Sequence, residues 1–361
     1  MWTNNPITSR LHLKWPIIQA PMAGGATTPA LVAAVSEAGG LGTLGAAYMS
    51  PEQIREAIKS IRSLTDKPFG VNLFIPEDFD TDQPIAEGVA QAMNDVRDRL
   101  GIPHNPQVTQ FTEPFAEQMA VVLEEQPAVF SFTFGVLDHR LMAELKQRGI
   151  TVIGTATTVR EAIALEVSGV DMIAAQGSEA GGHRGSFLPD SPSNMIGTMA
   201  LVPQMVDRVK IPVIAAGGIM DGRGIAAALA LGAQAAQLGT VFLTCKESGA
   251  HALHKKAILE TREESIVMTR AFSGKWARGI QNEFMTTLAP LDPELPTYPV
   301  QNALTKDIRA AAGKQQQSAY MSMWAGQAAP LSQEISASEL VEKLAAETTR
   351  ICSNLGQPPV E

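Results

Sequence analysis

The sequence predicts an α/β fold, a (β/α)8 TIM barrel with a smaller, mostly helical C-terminal subdomain. Three observations predict it. Eight strand-length apolar runs recur along the 361 residues, each closing on glycine or another small residue. A helical stretch follows each run, and continuous apolar runs of this kind mark parallel strands buried on both faces. No G-x-G-x-x-G follows the first run, as an open dinucleotide-binding sheet would have. The length suits one barrel of roughly 250 residues plus an addition.

The eight runs are Ile17–Pro21, Gly42–Gly45, Gly70–Phe74, Val129–Thr133, Thr151–Thr155, Met172–Gln176, Val213–Ala216 and Ala235–Gly239. Between them, local signals start and stop helices. Thr28 and Ser50 stand before Pro29 and Pro51 as N-caps, and proline suits a first helical position because it lacks the N–H that would go unpaired there. Thr158 or Thr157 is a further cap candidate, and a helix is expected from Asp221 to Leu231. Gly39, Gly149, Gly169 and Gly232 follow the predicted helix ends, where a left-handed residue can close the last turn. Two segments break the rhythm. Residues 76–127 are polar and proline-containing, with a helix expected at Phe115–Glu125 and a position over the barrel mouth. After Thr240, helices are expected at Lys246–Leu259, Asp307–Gln317 and Ser338–Ile351, a loop at Phe272–Gly279, and extended or turning chain at Pro290–Pro299. The reading therefore divides the chain into a barrel, 1–245, and a covering helical subdomain with a C-terminal helix, 246–361.

Composition excludes several function classes. Lys+Arg 28 against Asp+Glu 37 gives −9, with no basic run, so nucleic acid and anionic membrane are poor partners. No stretch of about 18 apolar residues exists for a membrane span. The N-terminal residues lack the basic-then-apolar order of a signal peptide, and two cysteines, Cys245 and Cys352, make no disulfide framework. A cytoplasmic setting is expected, as a monomer or homodimer. No H-E-x-x-H or Cys/His cluster suggests a metal.

In a barrel, chemistry belongs at the C-terminal strand ends. Glycines gather there: Ala20-Pro-Met22-Ala-Gly-Gly25, Ala215-Ala-Gly-Gly218-Ile219, and Gln237-Leu238-Gly239-Thr240. Glycines also make tight turns, but two adjacent loops after the seventh and eighth strands favour a phosphate-bearing ligand approached by backbone N–H groups. Asn72 and Gln176, near the ends of strands three and six, can both donate and accept, which suits a ring edge such as a flavin's. A purely structural hydrogen-bonding role is the other reading of each. The sixth strand runs into Gly177-Ser-Glu-Ala-Gly181-Gly-His183-Arg-Gly, with four glycines in nine residues. A histidine there titrates near neutrality and suits a general base. The other histidines (His12, His104, His139, His251 and His254) read as surface residues.

Four stretches together resemble the nitronate monooxygenase family: Gln19–Gly25 with Thr28-Pro29, Gly70–Phe74, Ala175–Gly185, and Tyr320-Met-Ser-Met-Trp-Ala-Gly-Gln327. The His183-Arg-Gly-Ser-Phe and Met-Trp-Ala-Gly-Gln portions resemble the class acting on propionate 3-nitronate. The resemblance implies FMN, held by Met22, Asn72, Gln176, Gly181, Gly218 and Gln237 to Thr240, with His183 catalytic. It implies oxidation of an alkyl nitronate by O2 to a carbonyl compound and nitrite, without nicotinamide or metal. The small anionic nitronate would need cationic or hydroxyl partners, for which protonated His183, Tyr298 and Lys306 are the candidates. The nearest rival is a flavin-dependent enoyl-thioester reductase using NAD(P)H, which shares Gly-Gly-His. A non-catalytic flavin-binding protein is a third reading.

Overall fold

A computed structural model of the chain describes residues 2–188 and 194–355. Its eight barrel strands are β1 (Ile17–Gln19), β2 (Gly42–Gly45), β3 (Phe69–Phe74), β4 (Val129–Thr133), β5 (Thr151–Ala156), β6 (Met172–Gln176), β8 (Val213–Ala216) and β9 (Ala235–Leu238). A two-residue strand, β7 (Gly182–His183), lies outside the barrel. All eight predicted strands are present to within a residue or two. They pair in parallel in the order β1-β9-β8-β6-β5-β4-β3-β2. Leu41 closes the ring: its N–H donates to Ile17 O at 2.9 Å and its carbonyl accepts from Gln19 N at 2.9 Å. That seam is short, and a side chain extends it. Gln19, fully buried, accepts from Thr43 N at 3.0 Å and donates to Thr43 O at 3.1 Å. A buried amide imitating a backbone pair satisfies both of its polar ends.

The helices start where the caps predict. Thr28 Oγ1 accepts from Leu31 N, Ser50 and Gln53 form a reciprocal capping box, Thr158 accepts from Glu161 N, and Asp221 accepts from Arg223 N and Gly224 N. Each cap satisfies an N–H that the helix itself cannot. Seven of the ring helices are Pro29–Glu37, Pro51–Leu64, Phe115–Glu125, His139–Gln147, Val159–Ser168, Thr198–Val206 and Gly222–Ala230. The eighth is the C-terminal helix Ala337–Leu355. It packs on Gly222–Ala230 and Pro29–Glu37, and Leu340, Val341 and Leu344 sit in the main core. Packing thus draws boundaries different from those of the sequence reading. The C-terminal helix belongs to the barrel, and the added segment after β9 is 246–336. Likewise Phe115–Glu125 is the ring helix after β3, packed on Pro51–Leu64, so the insertion proper ends before it. At the opposite pole, helix Pro6–Leu11 plugs the barrel floor with Ile7 and Leu11 against Ile18, Ile153 and Ile214.

The two additions share one core. Val89, Met93 and Val96 of the insertion helix Glu87–Leu100 pack with Phe272, Phe284 and Ile308. Arg97, 1% exposed, locks them: Nε and Nη2 donate to Asp307 at 2.8 and 3.3 Å, and Nη2 to Leu304 O at 2.7 Å. This layer is not purely helical. β10 (Ile266–Thr269) and β11 (Ala277–Ile280) form an antiparallel hairpin that continues onto β7; of the loop expected at Phe272–Gly279, Ala277, Arg278 and Gly279 are strand, paired with β10 and β7. No helix among the described residues is long and apolar enough to cross a membrane.

Candidate active site

A cavity of about 450 Å³ opens at the C-terminal strand ends, between the barrel and the added layer. Met22, Asn72, Gln176, Gly181 and His183 line it, as do Gly218, Gln237, Gly239 and Thr240. Two predicted site residues lie elsewhere. The Leu238 side chain is buried in the main core, because alternate residues of a barrel strand face inward and outward. Lys306 is exposed at the start of helix Lys306–Lys314 and does not line the cavity. Tyr298 stands beside His183, with ring centroids 6.0 Å apart. A second cavity of about 460 Å³ on the barrel flank, lined by Asp221, Arg223, Lys343 and Arg350 among others, holds none of the predicted site residues.

His183 is placed by its main chain. Gly182 and His183 pair with Arg278 and Ala277 of β11. Gln176 then ties the loop back to the barrel: Nε2 donates to His183 O at 3.0 Å, and Oε1 accepts from Gly185 N at 2.7 Å. Gln176, expected as a ring contact, therefore has both amide ends engaged on the histidine loop while still lining the cavity. Asn72 similarly donates to Ser131 Oγ at 2.9 Å. Gly181 is small for a packing reason. A Cβ there would meet the backbone of Ala325 and Gly326 at 2.5 Å. The 320–327 stretch bolts this loop to the β9 end, with Gln327 N donating to Glu179 O and Gly326 N donating to Thr240 Oγ1, both at 2.9 Å.

The imidazole sits in an aromatic box. Phe74, Phe134, Tyr298 and Trp324 ring centroids lie 5.6–6.5 Å from it. Phe134 reaches its place with φ +75°, a left-handed conformation that costs a non-glycine residue on the order of 1–2 kcal/mol. His183 Nε2 lies 2.8 Å from Ser273 Oγ, and that hydroxyl lies 3.2 Å from Lys275 O. With Nε2–H donating to Ser273 and Ser273 donating onward, Nδ1 is left as the proton acceptor. Burial first, and then the Lys275 and Arg309 charges, lower the His183 pKa to about 3. The imidazole is therefore neutral at physiological pH. A neutral ring has a lone pair free to take a proton, and its neutrality argues against the imidazolium expected as an anion partner. Positive charge comes instead from residues the sequence reading did not name. Lys275 pairs with Glu77 at 2.7 Å and lies 4.4 Å from the Phe134 ring centroid; Arg309 lines the cavity.

His254 corrects another expectation. It is not a surface residue: it is half-buried in the cavity wall with Nε2 2.9 Å from Trp324 O, and burial lowers its pKa to about 4. Tyr48 was also missed. Its hydroxyl is buried against that of Tyr298, and burial raises its pKa. The glycine loops have the geometry of a cradle. Gly217 and Gly218 have φ +111° and +72°, a region open to glycine, and Gly24 and Gly25 have φ +91° and +99° with nothing within 4 Å of an added Cβ. Gly239 precedes a short helix, Thr240–Leu243, that has no side-chain cap on its first N–H groups.

The profile of the nitronate monooxygenase family matches residues 5–347. The chain belongs to this family. It is accordingly an enzyme, an oxidoreductase. A "Probable nitronate monooxygenase" of Staphylococcus haemolyticus is 45% identical over 346 residues, covering 95% of this chain and 97% of the relative. Another, of Staphylococcus saprophyticus, is 46% identical over 349 residues, covering 96% and 98%. Among solved structures, nitroalkane oxidase from Streptomyces ansochromogenes superposes with a TM-score of 0.88 at 40% identity, covering 98% of this chain and all of that one. FabK from Thermotoga maritima gives 0.77 at 32% identity, covering 98% of each chain.

Proposed function

We propose that the protein oxidises an alkyl nitronate, propionate 3-nitronate foremost, with O2 to a carbonyl compound and nitrite, using FMN. The observation that carries this reading is a neutral histidine in an aromatic box at the strand ends, beside unguarded backbone and a free arginine. The family membership and the nitroalkane oxidase neighbour support the reaction class. The residues present suit FMN. Positive-φ turns at Gly217 and Gly218 and the uncapped start of Thr240–Leu243 offer backbone donors to a phosphate. Bound there, FMN would accept an electron from the nitronate and support the oxygen chemistry.

The chain itself supplies position and proton transfer. For a neutral nitroalkane, His183 Nδ1 takes the α-proton, and Ser273 fixes the tautomer through Nε2. For a nitronate, no proton needs removing, and His183 orients the anion within the box of Phe74, Phe134, Tyr298 and Trp324. His183→Asn should abolish turnover of neutral nitroalkanes and spare most of that on pre-formed nitronates; equal loss on both would refute a base role confined to nitroalkanes.

The purified protein should be yellow and release FMN, not FAD, on denaturation. The deciding measurement is oxygen uptake with propionate 3-nitronate and with simple alkyl nitronates, NAD(P)H excluded. The enoyl-thioester reductase reading is the alternative, because the Gly181-Gly-His183 stretch would serve it equally. It predicts rapid bleaching of the flavin by NADPH without oxygen, and that result would displace the nitronate reading.

A further inference from the structure

The cavity contains a cation with no anionic partner. Arg309 is half-buried in the wall, and each acceptor it reaches is uncharged: Thr305 O at 3.3 Å from Nε, and Asn302 O and Oδ1 at 2.6 and 3.0 Å from Nη2. Among the described residues, Nη1 donates to nothing. The carboxylates that might serve it are engaged elsewhere. Asp307, two residues earlier on the same helix, is held by Arg97 at 2.8 Å, and Glu77 is held by Lys275 at 2.7 Å. Burial disfavours the charged guanidinium, as the downward direction of its pKa records, and the nearby Tyr48 and Asp307 only offset this. A protein keeps a desolvated, unpaired cation at a cavity wall when a ligand brings the opposite charge. Beside it stands the buried Tyr48 hydroxyl, next to that of Tyr298, a group that can donate to the same anion. A planar guanidinium with one edge fixed by Asn302 and Nη1 free matches a carboxylate better than a point charge would.

The structure assigns Arg309, with Tyr48, as the seat for a second negative group on the substrate, a carboxylate carried on the tail of the nitronate. The inference rests on the nitronate reading and sharpens it. The nitronate group faces His183, the tail carboxylate faces Arg309, and a nitronate with an uncharged tail leaves Arg309 unpaired. It also relocates specificity from the exposed Lys306 to a residue one turn further along the same helix.

The test compares Arg309→Gln and Arg309→Lys with the wild type, all loaded with flavin. Oxygen uptake is measured with propionate 3-nitronate and with propyl nitronate, which has a similar length and one charge fewer. Arg309→Gln should lower kcat/KM for the carboxylated substrate about 10- to 100-fold, mostly through KM, the range of a lost charge-assisted hydrogen bond. Propyl nitronate should change less than about threefold. Arg309→Lys should fall between, because it keeps charge and loses the fork. Equal losses on both substrates, or none on either, would overturn the assignment. Succinate binding, followed by thermal shift, separates this inference from the one beneath it. If no nitronate is oxidised but succinate stabilises the wild type and not Arg309→Gln, the nitronate reading falls and the carboxylate seat stands. If nitronates are oxidised and succinate binding ignores Arg309, the seat falls and the reaction stands.

Discussion

Replacing Gln176 by Leu removes an amide of similar size whose two ends hold the His183 loop to the end of β6. The change leaves His183 O without its 3.0 Å donor and Gly185 N without its 2.7 Å acceptor, both partly buried. A buried polar group left unpaired costs about 1–3 kcal/mol, so the two together cost the native loop on the order of 2–6 kcal/mol, toward the lower end because both are only partly buried. The two-residue β7 pairing with β11 and the Gln327 N–Glu179 O bond remain, so the loop shifts rather than unfolds. A displacement of the imidazole by roughly 1 Å is enough for about a 100-fold loss in rate. Gln176→Leu should therefore lower kcat/KM with nitronate by about 30- to 100-fold at saturating flavin, with the flavin dissociation constant changing less than about threefold. Gln176→Glu should be intermediate, since it still accepts from Gly185 N and loses the donor to His183 O. The assay is oxygen uptake alongside a flavin fluorescence titration. If Gln176→Leu loses flavin affinity about 100-fold and regains full turnover when flavin saturates, Gln176 acts as a cofactor contact and not as the loop's brace.

Two further predictions follow from buried charge. His254 has a folded pKa near 4, lowered by burial, against an ordinary value near 6.5. Between these values the unfolded chain binds a proton that the folded one refuses, so stability is complete above about pH 6.5 and declines as pH falls toward 4. The loss attributable to this group is up to about 3 kcal/mol; His254→Gln should reduce the fall of the melting temperature between pH 6.5 and 4 without abolishing it, since buried His183 adds a slope of the same sign, and an unchanged slope would contradict the burial argument. Arg97→Met strips Asp307 and Leu304 O of their donor at the joint between the two additions. Because the Asp307 side chain is 30% exposed, the cost is about 2–3 kcal/mol rather than the larger figure for a fully buried pair. Limited proteolysis between residues 76 and 114 should accelerate while barrel unfolding stays put; equal acceleration across the barrel would mean the added layer is not a separate cooperative unit.

How much of this was legible in the sequence depended on how far each signal travels. Strands buried on both faces announce themselves as continuous apolar runs, and caps such as Thr28, Ser50 and Thr158 bond within three residues, so both could be read locally. The two halves of the 76–127 segment could not be told apart, because helices Glu87–Leu100 and Phe115–Glu125 differ in partner rather than in pattern. The C-terminal helix looked like part of an appendage because its ring neighbours, Pro29–Glu37 and Gly222–Ala230, lie more than a hundred residues upstream. His254 sits in Leu-His-Lys-Lys, a polar context by any local measure, and it is the Trp324 carbonyl seventy residues away that makes it part of the cavity.

The glycine-rich histidine loop shows the same division within a single site. Its sequence marks a titratable group on adaptable backbone, and the structure shows that the backbone is not free. Gln176, β11 and the 324–327 stretch each fix a different point of it. Gly181 is needed for close approach to Ala325 and Gly326, not for motion. The glycines therefore let three separately folded segments converge on one imidazole. The same convergence decides which cation reaches the cavity. Lys306 and Arg309 occupy one helix and are chemically alike in the sequence, and only the packing of that helix on Glu87–Leu100 through Ile308 turns Arg309 inward and leaves Lys306 in solvent. If Arg309 seats the substrate's tail as proposed, substrate choice depends on the insertion that lies outside every family-like motif, because that insertion sets the roll of the helix carrying the charge.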